Sequence, residues 1–259
     1  MKTFVDALQR EVTISYPPKR IISLCPAITE TLYYLQLGDK VVGRTRFCIH
    51  PQPEVEKAVN VGGTKDMKFD RIQDLNPDLI IAEKEENTKE MVELLEKHFP
   101  VYVFEIQSIT NAVRMITDLG LMTDRENEAR VINQKIINNF QTIKQMKHLR
   151  VAYVIWQNPY MVVGKLTYIN SLLAYMGFTN PFSSFEARYP EVTIDDLRNA
   201  NLDYLFLATE PFPFNENHLT EFKELLPNTT PIIVDGEMFW YGARMVEASS
   251  YFKQTFSDL

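Results

Sequence analysis

The sequence predicts an α/β protein of two doubly wound lobes, each built on a parallel sheet, joined by one long rigid helix with a ligand cleft between the lobes. Three observations lead there. From Ile21 onward short β-rich runs alternate with amphipathic stretches, the pattern of strands connected by crossover helices. Residues 123–147 carry apolar side chains at helical period with no Gly or Pro to interrupt them. The second half then echoes the first: FDRIQDLNPDLIIAE (69–83) and VTIDDLRNANLDYLFLATE (192–210) share an Ile-x-Asp-Leu helix, a break, an Asp, an apolar strand and a final Glu. The predicted division is a lobe over 1–121, a connecting helix over 122–148 and a second lobe over 149–259.

Each element has its own local reason. RIISLC (20–25) is a buried-strand run, and Ile28, Leu32 and Leu35 then mark one face of a helix that Gly38 stops. Strands follow from Val41, at LIIA (79–82) after the Asn76-Pro77 break, and at VYVF (101–104). Met91, Leu94, Leu95 and His98 stripe a helix between the last two. Thr123 and Glu126 have capping-box spacing, and Val131, Ile132, Ile136, Ile137, Phe140 and Ile143 continue the period. A single rod from 123 to 147 would be about 35 Å long at 1.5 Å per residue. Beyond it VAYVIW (151–156), YLFLA (204–208) and PIIVDG (231–236) read as strands, and 169–176 as a helix closed by Gly177.

Composition narrows the function. With 259 residues, 45% of them apolar and 24% charged, the chain can bury a sizeable core. A net charge of −7 argues against nucleic acid, whose phosphates need a surplus of Lys and Arg. No window approaches the roughly 18 uncharged apolar residues of a spanning helix. Asp6, Arg10 and Glu11 fall where a secretory signal would be apolar, so the expected compartment is the cytoplasm, or the periplasm or cell surface if a leader has been removed. Cys25 and Cys48 make no disulfide framework, and Cys25, inside an apolar run, reads as core. The expected state is a monomer.

In an open parallel sheet ligands sit beyond the carboxyl ends of the strands, so chemistry is sought in the loops there. Arg44, Arg46, Cys48 and His50 alternate. If the chain stays extended past the second strand they share one face and could clasp an anionic chelate, with Cys48 or His50 as a metal ligand. The other reading is an exposed loop with a core cysteine. In the second half Trp156 and Tyr160 flank one loop and Trp240 and Tyr241 crowd another, with Glu237 beside them as a hydrogen-bond acceptor or a helix cap. Aromatics so placed either stack on a flat ligand or fill the core. GGTK (62–65) lacks the spacing of a phosphate loop. Neither G-x-S-x-G nor HExxH occurs. The alternative function is therefore a small metal-assisted enzyme using Cys48 and His50, whose parallel side chains make an awkward nucleophile and base.

These segments resemble a known family, the ABC-importer substrate-binding proteins for iron-siderophores, haem and cobalamin with a rigid helical backbone. FVDALQREVTISYPPKRIISLCPAITETLYYLQLGDKVVGRT is similar to that family's entry strand pair and its P-x-R-I-[IV]-S-L-x-P-x-x-T-E segment. IQDLNPDLIIAEKEEN is similar to its L-x-P-D-L-[IV]-I element, and VIWQNPYMVVGKLTYINSLLAYMGFTNPF to the start of its second lobe. The resemblance covers residues 4–250. It implies a non-catalytic protein with no intrinsic cofactor that holds a small metal chelate carrying cobalt or iron, with an ABC permease as partner. Acidic residues on each lobe would dock that permease, with Glu86 or Glu90 and Glu216 or Glu221 as counterparts. RTRFCIHP departs from the Ser, Asp and Tyr of cobalamin binders in the same loop, which implies a different ligand or a protein–metal bond.

Overall fold

In the computed structural model, which describes residues 1–257 and 259, the chain forms two α/β units. Unit 1 gathers Met1–Ile106, Thr110–Ile137 and Gly242–Val246, and unit 2 gathers Gln107–Ile109, Asn138–Tyr241 and Glu247–Leu259. The first unit therefore takes back a short C-terminal segment that a linear division at 121 assigns to the second.

Unit 1 opens with an antiparallel hairpin, β1 (Lys2–Val5) and β2 (Glu11–Ile14). Then come β3 (Ile21–Ser23), α1 (Pro26–Tyr34), β4 (Val41–Arg44), β5 (Val59–Asn60), α2 (Phe69–Leu75), β6 (Leu79–Glu83), α3 (Lys89–Leu95) and β7 (Val101–Phe104). The sheet runs β5-β4-β3-β6-β7 with every pairing parallel. β3, β6 and β7 are buried at every position, which is why their sequences are apolar without alternation up to the polar last residues Ser23 of β3 and Glu83 of β6. Pro26 starts α1 at a position where a missing N–H costs nothing. Ile22, Leu24, Ile72, Ile80, Leu95 and Val103 centre one core cluster of this unit.

The single helix expected over 123–147 is instead two, α4 (Ile109–Thr123) and α5 (Glu126–Phe140). Thr123 ends α4 by donating its hydroxyl back to the Leu119 carbonyl (2.6 Å), and Asp124 takes a left-handed φ of 61°. Gly120 is what lets the chain double back: a Cβ there would lie 2.6 Å from that of Ala129. Apolar periodicity runs straight through such a break, because one left-handed residue changes the axis without removing the stripe. The same holds past Phe140, where Ile143 and Met146 are buried although α5 has ended.

The elements that follow are β8 (Val151–Trp156), β9 (Tyr160–Val162), α6 (Tyr168–Tyr175), β10 (Glu191–Val192), α7 (Ile194–Asn199), β11 (Tyr204–Ala208), α8 (Glu216–Leu225), β12 (Thr230–Val234) and α9 (Met245–Thr255). The unit 2 sheet runs β10-β9-β8-β11-β12. It is mixed rather than wholly parallel: β8, β11 and β12 are parallel, while β9 folds straight back on β8 and β10 pairs antiparallel to β9. Asn158 (φ 63°) and Pro159 turn the chain too tightly for a crossover, so Tyr160 starts a strand instead of ending a loop.

The internal echo is structural. Asn76 and Asn201 end α2 and the turn after α7 in left-handed conformation, at φ 43° and 48°. Arg20 donates to the carbonyls of Leu75 and Asn76, and Arg150 donates to those of Ala200 and Asn201. Asp78 accepts the Arg20 backbone N–H at 2.9 Å and Asp203 accepts that of Arg150 at 2.7 Å. Among the described residues no helix is long and apolar enough to cross a membrane.

Candidate functional site

The loop after β4 does not continue the strand, so the predicted row of four side chains does not form. The chain turns at Arg46–Phe47, with the Cys48 N–H donating to the Thr45 carbonyl at 3.2 Å. Residues two apart share a face only while the backbone stays extended. Arg44 spends its guanidinium on the carbonyls of Val55 (2.9 Å) and Thr45 (3.1 Å) and so ties the loop to itself. Cys48 is 0% exposed, and its Sγ lies 3.0 Å from Thr29 Oγ1 and 3.1 Å from Thr45 Oγ1. Burial pushes its thiol up, whereas a nucleophile or metal ligand needs a thiolate. Cys48 is a core residue, and the Cys48–His50 enzyme loses its nucleophile.

Arg46 does reach the surface. It forms a two-bonded fork with Asp66 (2.8 and 2.9 Å) and lies 4.8 Å over the Phe47 ring; that hydrogen bond holds the Asp66 carboxyl below its usual range. The GGTK segment makes room for this fork. Gly62 sits at φ 118°, and a Cβ on Gly63 would fall 2.2 Å from Asp66 Oδ1 and 2.8 Å from an Arg46 nitrogen. His50 is half-buried immediately before Pro51.

The loop after β6, where Glu86 stands, is organised by Glu83. Glu83, 2% exposed, accepts the backbone N–H groups of Glu85 (2.7 Å) and Glu86 (3.0 Å) on one oxygen and that of Ile106 (3.2 Å) on the other. Burial nevertheless dominates and pushes its carboxyl up to about 7. Asn87 completes the loop, accepting the Glu83 N–H and donating to the carbonyls of Leu24 and Thr64. Glu86 is half-buried and is likewise raised by burial, against the pull of Lys65. Glu90 stands exposed on the first turn of α3.

In unit 2 the loops at the carboxyl ends of β8, β11 and β12 are aromatic. Trp156 is 41% exposed at the end of β8 and meets the Phe212 ring edge-on at 5.7 Å. Phe212 in turn contacts Phe214 and His218. Tyr160 packs on Phe222 and shares Glu221 with Gln157: its hydroxyl donates at 3.3 Å and the amide at 3.2 Å. Burial raises the Tyr160 phenol. Thus Glu221 is turned inward on its own unit, while Glu216 is exposed on the first turn of α8.

Beyond β12, Asp235 rather than Glu237 caps the turn, accepting the Glu237 N–H at 3.1 Å. Trp240, half-buried, donates its indole N–H to Glu210, and Tyr241 meets Tyr168 edge-on at 5.7 Å. The structure therefore groups Trp156 with Phe212 and Trp240 with Glu210. Among the described residues no three His, Cys, Asp or Glu side chains are placed to hold a metal ion together.

Sequence reasoning passed over Glu83 and Glu210 even though the echo ends on both. It also left Glu30 unassigned, although this residue closes the P-x-x-T-E segment. Glu30 forms a buried two-bonded ion pair with Arg244, at 2.6 and 3.1 Å.

Residues 21–227 match a family model described as periplasmic binding protein. The chain is 26% identical over 218 residues to the vitamin B12-binding protein of Vibrio parahaemolyticus, spanning 82% of this chain and 78% of that one. Over 80 residues it is 44% identical to an uncharacterized ABC transporter substrate-binding lipoprotein of Bacillus subtilis, which is 31% of this chain and 25% of that one. Among solved structures, a periplasmic haem-binding protein in complex with two haems superposes with a TM-score of 0.79 at 18% identity, covering 93% of this chain and 98% of that one. A possible iron-binding protein from Staphylococcus epidermidis does so with a TM-score of 0.77 at 22% identity, covering 93% and 99%. The matched segment runs from β3 into the turn beyond α8, taking in the whole unit 1 sheet and β8 to β11 of unit 2 with the loops that follow them, and the chain belongs to the periplasmic binding protein family.

Proposed function

We propose that this protein is the substrate-binding component of an ABC importer and that it captures a small metal chelate: a corrinoid, a ferric siderophore or a haem-like macrocycle. The observation that carries this reading is the family match, which spans the unit 1 sheet and β8 to β11 of unit 2 with the loops that follow them. The names of its relatives point the same way, toward vitamin B12, haem and iron. Cobalt or iron would arrive as part of the cargo, and the protein would contribute side chains rather than a resident cofactor. Arg46 and His50 from unit 1 and Trp156, Tyr160, Glu237, Trp240 and Tyr241 from unit 2 are the proposed contacts. Cys48 is left out because it is buried, and Arg44 because its guanidinium serves the loop. Glu90 and Glu216, both exposed on first helical turns, are the proposed permease contacts. A monomer working outside the cytoplasmic membrane is the state this reading expects.

The test is direct titration of the purified protein with cyanocobalamin, ferrioxamine B and haemin, followed by tryptophan quenching and native mass spectrometry. A saturable one-to-one complex with one of them supports the reading. Failure of all three, with no chelate carried through native purification, sinks it.

A further inference from the structure

The Glu210–Trp240 pair has a construction that core packing does not call for. β11 and β12 end side by side, and the Thr209 N–H extends their ladder by donating to the Val234 carbonyl at 3.0 Å. The Thr209 hydroxyl then accepts the Gly236 N–H, also at 3.0 Å. Glu210 lies directly across Gly236: a Cβ there would come within 2.4 Å of Glu210 Cγ and 3.2 Å of its backbone nitrogen. Any side chain at 236 would push Glu210 off its seat.

The backbone carrying Trp240 is anchored separately. Asp235 receives a bond from the Glu237 N–H, and its own N–H donates to the Tyr251 hydroxyl of α9 at 2.7 Å. Phe239 is 2% exposed and packs against Tyr153 and Phe252. The Trp240 N–H returns to the Glu237 carbonyl at 3.0 Å. With its main chain held by these contacts, Trp240 still has two side-chain torsions, and its ring is half-exposed rather than locked in the core. The indole N–H donates to the Glu210 carboxylate and so restrains the ring. An indole has one N–H, so a bond to a charged acceptor selects one rotamer strongly.

We propose that Glu210 is a positioning residue, seated by Gly236, that holds the Trp240 indole in one orientation before ligand arrives and so gives unit 2 a preformed aromatic wall for a flat, conjugated chelate face. The inference rests on the binding-protein reading for its purpose, but the orienting bond itself does not depend on it. A side chain ordered in advance loses less freedom on binding, and a rigid ring rewards a planar ligand more than a flexible aliphatic one.

The experiment reads the two parts separately. In a 1H–15N spectrum the two tryptophans give two indole N–H signals, assigned by Trp156→Phe. The Trp240 signal is expected downfield and slow to exchange with water. Glu210→Ala should move it upfield and speed its exchange, and Gly236→Ala should do the same by displacing Glu210. Glu210→Gln, which keeps a carbonyl acceptor, should retain most of the shift. Cyanocobalamin affinity by calorimetry should then weaken about three- to ten-fold in Glu210→Ala and recover in Glu210→Gln. An indole signal unmoved by both Glu210→Ala and Gly236→Ala overturns the positioning role. A moved signal with unchanged cyanocobalamin affinity overturns the ligand-facing role. If wild type binds none of the three chelates, the functional reading fails while the indole signal still decides whether Glu210 orients Trp240.

Discussion

The α2–β6 segment of unit 1 and the α7–β11 segment of unit 2 share a plan and differ at its end. In both, an arginine from the neighbouring strand closes the carbonyls of a helix end, an asparagine turns left-handed, and an aspartate takes the arginine's backbone N–H. Glu83 stands five residues after Asp78, whereas Glu210 stands seven after Asp203. Those two extra residues are one pleat of a strand. They carry Glu210 beyond β11 to a half-buried position where it meets Trp240, while Glu83 stays inside the strand and turns onto backbone N–H groups. One scaffold thus yields an organiser of a loop in one place and of a side chain in another.

The largest effect expected is at the ion pair inside unit 1. Arg244→Ala would take both Arg244 bonds from the buried Glu30 carboxylate, with side-chain exposures of 9% for Arg244 and 4% for Glu30, and should lower stability by about 3–5 kcal/mol in urea unfolding. The unit 2 pair Lys165–Glu186, with Glu186 97% exposed, should behave oppositely: Lys165→Ala changes the unfolding free energy by no more than about 0.5 kcal/mol.

Next comes the pH response of Glu83. Its folded value of about 7 lies above the ordinary 4.5, so the native state binds this proton more tightly than the unfolded chain does. Native stability contributed by Glu83 is therefore complete below 4.5 and declines as pH rises to about 7, by up to ~3 kcal/mol, then levels off. Denaturation midpoints between pH 5 and 8 measure the slope, and Glu83→Gln should remove most of it, leaving the smaller share of Glu86, whose carboxyl burial also raises. An undiminished slope in this variant would belong to other groups and would overturn the assignment to Glu83.

The arginine clamps sharpen the comparison more finely. Arg150 is half-buried and Arg20 exposed, although each closes two carbonyls. Arg150→Ala should cost about 2 kcal/mol and Arg20→Ala about 1 kcal/mol, because water replaces the lost bonds more readily at the exposed site. Equal losses would mean that solvent access does not distinguish the two copies.

Much of the scaffold was legible in the residues. Buried parallel strands announce themselves as unbroken apolar runs, so β3, β6, β7, β8 and β11 fall where LIIA, VYVF and their kin stand. The repeated Asp and Asn positions carried the internal echo. Helix continuity was not legible, because the break at Asp124 depends on Gly120 meeting Ala129, a contact between two helices. Nor was the row at Arg44, Arg46, Cys48 and His50: alternation promises a shared face only if the strand persists, and β4 ends at Arg44.

What the sequence determined by itself was the α/β class, the two-unit plan and the family, since these follow from periodicity and from local motifs that chain neighbours can enforce. What only the tertiary structure decided was the job of each polar side chain. Cys48 became core through Thr29 and Thr45, Glu30 became half of a buried pair through Arg244, and Glu210 became a seat for Trp240 through Gly236. The partner is distant in the chain in the Glu30–Arg244 and Glu210–Trp240 pairs, and burial sets whether a carboxylate or thiol is solvated or held. That information does not reside in any stretch of sequence read alone.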